Sequence, residues 1–345
     1  MTLLLTTQSY RKDVPTPFGL LLEMDAEDGR ILRQLRISTP VKSALPGERL
    51  KPGLRGIYSY QGRLYVCTWN RVYIVDPGTF EVTGELSHLW MSDLHGIHVN
   101  EDGIWLASSL PDALLLYDFD GTPRAAFWVP ESCLYEAPVA VDRDIDWRMR
   151  GKGFRGFKEF HANHVTLSGD TVYLTGRGRG DKSGRVVSFD RRVFIEKGTL
   201  QDADLTVFAD HLQGPHDGEW ADGSFWLTET RTSGLCKLDD AGNVVLRAQV
   251  GTDDGGKFLM RVALYLKALL RSRKRRFSIT RWTRGLAVSR DDIFVGQSTW
   301  AGDDVARARV VHMDARTHEI RNTFYVDIPF DPETRIFQVY IAPQA

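Results

Sequence analysis

The sequence GIYSYQGRLYVCTWNRVYIVD, residues 56–76, contains three short runs of β-branched and aromatic residues, and the third run ends in Asp76. Turn residues separate the runs, and alternating runs of this kind predict an antiparallel meander of strands. A further β-rich run follows at residues 81–86. The stretch therefore predicts one sheet of four strands.

The same unit recurs along the chain. It returns within residues 96–118, 164–190, 219–239 and 285–314, each time with an aromatic-rich middle strand and a third strand that ends in Asp. A fourth β-rich segment follows each copy, at residues 125–129, 205–208, 244–250 and 320–326. Four-stranded units at a spacing of about 40 to 50 residues are typical of β-propeller blades.

The two ends of the chain supply a sixth blade. Residues 3–7, 19–24 and 31–37 predict three strands, and residues 336–341 predict one strand without partners of its own. Pairing the last strand with the first three closes the ring and leaves no long exposed edge. We therefore predict an all-β, six-bladed β-propeller that forms a single domain over residues 1–345. A β-sandwich or a pair of smaller β domains is the alternative that short alternating strands leave open.

Aligning the copies on their first strands places one polar residue per blade immediately before that strand. Because the first strand of each blade lines the central channel, these positions are expected to meet around one mouth. The residues are Arg55, His95, Asn163, His216, Arg284 and Arg335. Each of these side chains can donate a hydrogen bond, so the ring predicts a ligand site.

The composition of this ring predicts an anionic ligand. The arginines cannot lose their charge, and their fork of donors suits a carboxylate, phosphate or sulfate. His95 and His216 can exchange protons near neutral pH or bind a metal ion. Asp217 or Glu219 is placed to orient a histidine, and Arg177, on a loop between second and third strands, is expected to reach the same face.

Histidines also occur in two close pairs, His95 with His98 and His161 with His164. Residues three apart on an extended strand point to opposite faces, so we predict that one member of each pair faces the channel. The ring alignment selects His95 from the first pair. In the second pair both stay candidates, His164 for proton transfer and His161 for ligand contact or as the third ligand of a divalent metal ion held by His95 and His216.

Residues 214–228 resemble a known group of propellers. The segment Gly214-Pro-His-Asp-Gly218 and the Trp-containing strand after it are similar to the gluconolactonase, paraoxonase and strictosidine-synthase group. The resemblance implies a six-bladed fold over nearly the whole chain. In metal-dependent members an Asn at the position of His216 helps to hold a divalent ion. Here arginines stand where a calcium site needs oxygen ligands, and Asn163 is the matching amide on the ring.

Two connections between blades are unusually long, at residues 130–160 and 251–283. Both are expected to emerge on the face that carries the ring, which makes them candidate lids. The second contains an apolar, helix-favouring run at residues 258–270 that continues into basic residues 271–276, and this predicts a helical lid. Its apolar face and basic flank also suit docking on an anionic membrane surface or an acidic protein.

The composition excludes several classes of protein. A formal net charge of -1 argues against a general nucleic-acid-binding surface, and no stretch approaches the roughly 20 apolar residues of a membrane-spanning helix. The first residues lack the pattern of a signal peptide. Cys67, Cys133 and Cys236 are widely separated and lack metal-type spacing. We therefore expect a cytoplasmic protein with reduced thiols and no nucleic-acid partner.

Two functional hypotheses follow from these observations. The first is an enzyme that acts on an anionic small molecule by hydrolysis or elimination, with arginines that hold the anion and histidines that move protons or bind one divalent metal ion. The second is a propeller that binds a ligand, a protein or a membrane through the same face and the basic helix, without catalysis.

Overall fold

The computed structural model describes residues 1–8, 18–38, 53–149, 157, 159–178, 183–250, 282–298, 308–326 and 335–343. The first strands are β1 (Thr2–Gln8), β2 (Phe18–Asp25), β3 (Ile31–Ser38), β4 (Ile57–Tyr60), β5 (Arg63–Cys67), β6 (Val72–Asp76) and β7 (Glu81–Leu86). They are followed by β8 (Leu94–Asn100), β9 (Gly103–Ser108), β10 (Ala113–Tyr117), β11 (Pro123–Trp128), β12 (Ala162–Ser168), β13 (Thr171–Gly176), β14 (Gly184–Asp190) and β15 (Thr206–Leu212). The last are β16 (Glu219–Ala221), β17 (Ser224–Glu229), β18 (Gly234–Leu238), β19 (Val244–Gln249), β20 (Trp282–Val288), β21 (Asp292–Ser298), β22 (Arg309–Asp314), β23 (Ile320–Tyr325) and β24 (Arg335–Ile341).

These strands form six antiparallel sheets of four strands each. Blade 1 consists of β24, β1, β2 and β3 in that order, and blades 2 to 6 each consist of consecutive strands that begin with β4, β8, β12, β16 and β20. The strand that begins each of these orders is the innermost one, and the innermost strands contact one another in cyclic order, with β24 next to both β20 and β4. The prediction of an all-β, six-bladed propeller is confirmed.

The C-terminal strand closes the ring as predicted. β24 pairs antiparallel with β1, so that Leu5 lies opposite Val339. Beyond the strand, the Ala342 amide donates to the Thr2 carbonyl at 2.9 Å. Because the pairing joins the two ends of the chain, β1 has a partner on both sides and blade 1 leaves no interior edge open.

The core is divided among the gaps between neighbouring blades. Each of six apolar clusters joins residues of two adjacent blades. Side chains alternate along β1, because Leu3 and Leu5 pack against blade 6 whereas Leu4 packs against blade 2. Since both faces of a blade are covered, a strand such as β10 is apolar along its whole length. This two-sided burial fixes the position of the innermost strands.

Short helical segments lie in the connections. Helix α1 (Arg191–Lys197) begins at Asp190, whose side chain accepts a hydrogen bond from the Arg192 amide, and ends at Gly198 in the left-handed region. Single 3-10 turns span Val129–Glu131, Trp147–Met149 and Asp202–Asp204. No helix among the described residues is long and apolar enough to span a membrane.

The long connection at residues 130–160 packs against the propeller. Trp147 is buried among side chains of blades 2 and 3, and the Tyr135 hydroxyl donates to Asp112 at 2.6 Å. The same carboxylate accepts from the amides of His161 and Ala162 at 2.9 and 2.8 Å. Asp112 therefore ties the connection to the start of β12. Residues 251–281, and with them the predicted helix at 258–270 and the basic run at 271–276, lie outside the described residues.

Candidate functional site

β-bulges at the start of the innermost strands position the candidate site. In β8 the pairs Leu94 with Ser108 and Ile97 with Leu106 leave His95 and Gly96 opposite a single residue. Equivalent irregularities lie at Asn163 in β12, at Arg284 in β20 and at Phe337 in β24. A bulge places two residues against one and redirects a side chain from its regular face. The described strands therefore present these side chains towards the channel at one level.

Little space is available to the residue that follows the bulge position in β8 and in β20, which is Gly96 and Gly285 respectively. A Cβ atom added to Gly96 would lie 2.6 Å from the Cα of His164 on the neighbouring strand. Gly285 adopts a φ of +82°, and a Cβ atom there would lie 2.6 Å from the Val339 amide nitrogen. Glycine therefore lets adjacent innermost strands approach each other at the level of the ring.

The structure corrects the sixth member of the predicted ring. Ile336 pairs with Thr7 and Gln338 with Thr6, so Phe337 is the bulged residue of β24. Arg335 pairs with Gln8, two residues ahead of the ring position. The alignment that placed Arg335 in the ring is wrong in register, because it took the first strand residue as the reference and missed the bulge inside the strand.

Phe337 occupies the centre of the ring, and sequence reasoning missed it. Its ring centroid lies 5.3 Å from that of His95 and 5.1 Å from that of His216. The guanidinium carbons of Arg55 and Arg284 lie 5.4 and 5.3 Å from the same centroid. Matching Val339 with Ile57 and Ile97, the apolar residues two places after the ring position in other blades, would have found it. We call Arg55, His95, Asn163, His216, Arg284 and Phe337 the ring mouth.

The Arg55 side of the ring mouth contains a buried ion pair. Arg55 Nη1 donates to Asp93 Oδ1 and to the Leu94 carbonyl oxygen at 2.5 and 2.8 Å. The side chains of Arg55 and Asp93 are only 1% and 5% exposed. The guanidinium also stacks on Trp69, with 4.8 Å between its carbon and the ring centroid. Asp93 therefore offsets the charge of Arg55.

His95 is held in a network of neutral and charged partners. Its Nδ1 lies 2.8 Å from the Asp93 carbonyl oxygen and 2.8 Å from Ser109 Oγ. Ser109 donates its own hydrogen to the Ala162 carbonyl, and Arg55 Nη1 lies 3.1 Å from the same Nδ1 of His95. Burial, opposed by Asp93 and supported by Arg55, lowers the pKa of His95 well below its usual value. The imidazole is therefore neutral near pH 7.

His216 and Asp217 form an oriented pair, as expected from the sequence. Nδ1 of His216 lies 3.3 Å from Asp217 Oδ1. The other carboxylate oxygen accepts from Thr228 Oγ1 at 2.5 Å and from the Gly285 amide at 3.1 Å. Burial acts to raise the pKa of Asp217, but His216 and the hydrogen bonds lower it overall. The ionised carboxylate thus fixes the imidazole with its hydrogen on Nδ1.

The other nitrogen of His216 is suited to accept a proton. Burial first, and then the charge of Arg284, lower the pKa of His216 to about 4 against the opposing effect of Asp217. Among the described residues, His216 Nε2 has no hydrogen-bond partner although the atom is buried. A neutral imidazole with a lone pair on Nε2 is the form that acts as a general base.

Positive charge gathers beside His216. Arg284 and Arg177 both act to lower the pKa of His216, and burial together with Arg231 lowers the pKa of Arg177. Asn163 donates from Nδ2 to the Pro215 carbonyl at 3.1 Å. In the part of the chain that is described, its Oδ1 and Arg177 Nε are buried without a hydrogen-bond partner. Buried unpaired polar atoms are uncommon, and these lie around one point of the channel.

Both members of each histidine pair lie at the channel, which corrects the prediction of one per pair. The His161 ring is 5.4 Å from that of His95, whereas the His98 ring is 4.2 Å from that of Tyr58 on β4. His164 lowers the pKa of His98, and Asp217 acts on the pKa of His164, so His164 on β12 lies near His98 on β8 and near Asp217. The bulges shift the alternation of β8 and β12 by one residue, and residues three apart then share a side.

The histidines proposed as metal ligands do not fit a metal site. His95 Nδ1 lies 3.1 Å from the Arg55 guanidinium, and the positive charge of that group opposes a metal ion at this nitrogen. Among the described residues, no group of three His, Cys, Asp or Glu side chains is placed to hold a metal ion. The arrangement of His95, His161 and His216 therefore provides hydrogen-bonding and proton-transfer groups and not a ligand set.

A cavity of about 180 Å³ lies apart from the ring residues. It lies between the 130–160 connection and the hairpin of β13 and β14, and Cys133, Tyr135, Phe160 and Arg185 contribute to its wall. Phe160 directly precedes His161 in the chain. The ring side chains do not line this cavity, so their chemistry, and not the cavity, identifies the candidate site.

Comparisons with known proteins support the architecture alone. No family model and no curated protein matches the sequence. A crystal structure of a protein of unknown function from Bacteroides caccae is similar over 98% of this chain and 97% of that chain, with 7% identity and a TM-score of 0.57. The crystal structure of a nidogen/laminin complex contains a chain similar over 99% of this chain and 98% of that chain, with 11% identity and a TM-score of 0.57. At such identities the similarity shows a shared β-propeller fold and leaves the function open.

Proposed function

We propose that the protein is an enzyme that acts on an anionic small molecule at the ring mouth, by hydrolysis or elimination. The observation that carries the proposal is the His216–Asp217 pair, in which an ionised carboxylate orients a neutral imidazole. In this proposal Nε2 of His216 removes a proton from water or from a carbon atom next to the anionic group. Membership of the gluconolactonase, paraoxonase and strictosidine-synthase group is part of this proposal and rests on residues 214–228.

Charge supports the choice of an anion. Arg284 and Arg177 surround His216 with positive charge, whereas the nearby Asp217 carboxylate is already engaged by Thr228 and Gly285. An anionic group of the substrate would accept hydrogen bonds from guanidinium donors in a site with little water, where such bonds are strong. Asn163 would add an amide contact, and Phe337 would form an apolar floor. Arg335 and His161 lie one level further out and would contact a larger substrate.

The binding step is tested with inorganic phosphate and citrate as probes in isothermal titration calorimetry. Arg284→Gln is expected to weaken binding at least about tenfold, in keeping with the strength of a charge-assisted hydrogen bond. Arg30→Gln is the matched control, because that side chain is 69% exposed and lies on blade 1. Equal affinity of the wild type and Arg284→Gln would show that the ring mouth does not select anions.

The catalytic step is tested with a panel of carboxylate and phosphate esters that bind in the first assay. His216→Gln keeps a polar side chain but removes the base, and we expect turnover to fall about 10²-fold or more. Affinity for the probes should change much less, because the arginines remain. Turnover that survives in His216→Gln would exclude this residue as the base.

The second candidate is a propeller that binds through the same mouth without catalysis. Phe337 packs against the histidines and arginines of the ring. A cationic ring of this kind also suits an acidic side chain of a protein partner or a membrane surface. Anion binding without turnover of any ester would favour this candidate, and deletion of residues 258–276 would then test whether the basic segment contributes to docking.

A further inference from the structure

A second polar cluster lies further along the same innermost strands. Tyr58, His98, Glu219 and Tyr340 each follow a residue of the ring mouth by three positions, on β4, β8, β16 and β24. All of them are partly exposed, unlike the ring residues, which are buried. We call this cluster the tyrosine mouth. Three residues of strand separate it from the ring mouth by about 10 Å.

Contacts between neighbouring blades hold the aromatic side chains in place. The Tyr58 and His98 ring centroids are 4.2 Å apart, and the Tyr58 hydroxyl lies 3.2 Å from His98 Nε2. The Tyr58 and Tyr340 ring centroids are 5.8 Å apart with an interplanar angle of 53°. The Tyr340 hydroxyl accepts a hydrogen bond from the Ser59 amide at 3.3 Å. Two phenol rings thus meet at an angle at the end of the channel.

Glu219 lies across the channel from these rings. Its Oε2 accepts from the Val288 amide at 3.0 Å. Burial, then Tyr340 and then Glu219, raise the pKa of Tyr58. Burial, opposed by the Ser59 amide and supported by Glu219, raises the pKa of Tyr340. The carboxylate is therefore near enough to act electrostatically on both phenols, although β4 and β16 belong to opposite blades.

A carboxylate beside two aromatic faces matches one class of ligand. Aromatic rings attract a cation that lies within about 6 Å of their centroids, and a carboxylate supplies the opposite charge. A metal ion needs several oxygen or nitrogen ligands, and no such group occurs among the described residues. We propose that the tyrosine mouth binds an organic ammonium ion, with Glu219 as counterion and Tyr58 and Tyr340 as the aromatic wall.

The proposed ligand must displace a proton. Burial, weakened by the Val288 amide and strengthened by Asp217, raises the pKa of Glu219 to about 8. The other titratable groups that face it do not compete as cations, because burial lowers the pKa of His98 to about 3 and also lowers that of His164. A bound cation stabilises the carboxylate. Binding should therefore be tighter at about pH 9 than at about pH 6.

The test uses butylammonium chloride in isothermal titration calorimetry at about pH 9, with sodium chloride at equal ionic strength as the reference salt. We expect butylammonium and not sodium to bind, and we expect Glu219→Gln to weaken binding at least about tenfold. Tyr340→Leu should weaken it about threefold or more through loss of the ring face. Glu81→Gln, an exposed position on β7, is the control and should bind like the wild type.

A measurement on the wild type alone decides the proposal if a variant does not fold. Titrations at about pH 7 in two buffers of different ionisation enthalpy report the protons released, and we expect close to one per butylammonium bound, as Glu219 ionises. No binding, binding equal to that of sodium, unchanged affinity in folded Glu219→Gln, or no proton release would each overturn the proposal. Because the test contains no phosphate, its outcome is independent of phosphate binding at the ring mouth.

Discussion

The two mouths of the channel are built from equivalent positions of the same innermost strands, three residues apart, yet they differ in charge and in burial. The ring mouth collects Arg55, Arg284 and neutral histidines and is buried. The tyrosine mouth collects phenols and Glu219 and is partly exposed. The fold thus provides two similar rings of positions, and only the side chains determine that one suits an anion and the other a cation.

Phe337 lies at the centre of the ring mouth, and its removal should have the largest effect on the free energy of unfolding. Phe337→Ala should lower the free energy of unfolding by about 3 to 5 kcal/mol, because it deletes a buried ring and leaves a cavity. Urea denaturation checks this value. Phe119→Ala, at a side chain that is 42% exposed, should cost much less. A loss below about 1 kcal/mol would contradict the central position of Phe337.

Loss of the buried ion pair of the ring mouth should have the next largest effect on the free energy of unfolding. Asp93→Asn keeps the shape of the side chain but leaves Arg55 without its counterion, and we expect a loss of about 3 kcal/mol in the free energy of unfolding. Asp118→Asn is the comparison, because its carboxylate is half exposed and 3.8 Å from Arg124. Chemical denaturation of both variants at neutral pH measures the difference. Similar losses would show that Asp93 does not offset the charge of Arg55.

In the tyrosine mouth, Glu219 should make a smaller contribution to the free energy of unfolding, and this contribution should depend on pH. The pKa of Glu219 is raised from 4.5 to about 8, so the folded state binds more protons than the unfolded state between these values. Glu219 therefore contributes stability at low pH that is lost as the pH rises through about 8. Because solvent screens the partly exposed carboxylate, the wild type should lose on the order of 2 kcal/mol relative to Glu219→Gln between about pH 5 and pH 9.

Denaturant titrations of both proteins across this pH range test the prediction, with Glu81→Gln as the control at an exposed carboxylate. Parallel curves for the wild type and Glu219→Gln would mean that Glu219 ionises normally in the folded state. That result would also remove the reason for expecting proton release on ammonium binding.

The repeat explains why the fold was predictable from the sequence. The sequence of each blade predicts four short strands with an Asp at the end of the third. The unpaired strand at 336–341 can complete a blade only by pairing with the three N-terminal strands. The ring residues Arg55, His95, Asn163, His216 and Arg284 followed from aligning these units. The geometry of Asp217 beside His216 was also accessible, since the residues are adjacent in the chain.

The bulges account for the errors, and in β24 only the match of Val339 with Ile57 and Ile97 could have revealed the bulge from the sequence. A bulge adds one residue without an obvious mark in the sequence, so Phe337 was missed and Arg335 was placed at the wrong level. The same shift brings His98 and His164 to the channel, against the simple alternation of an extended strand. Glu219 was considered only as a partner of a histidine, because its position opposite Tyr58 depends on the closed ring.

The most direct test of the ring mouth is a pH titration of the histidine side chains by nitrogen-15 NMR, with and without phosphate. We expect the His216 imidazole to be neutral at about pH 6, with its hydrogen on Nδ1, because burial and Arg284 lower its pKa to about 4. Phosphate bound beside it should raise this pKa, since an anion stabilises the imidazolium. A His216 signal that titrates near its ordinary value of 6.5 and does not respond to phosphate would contradict the account.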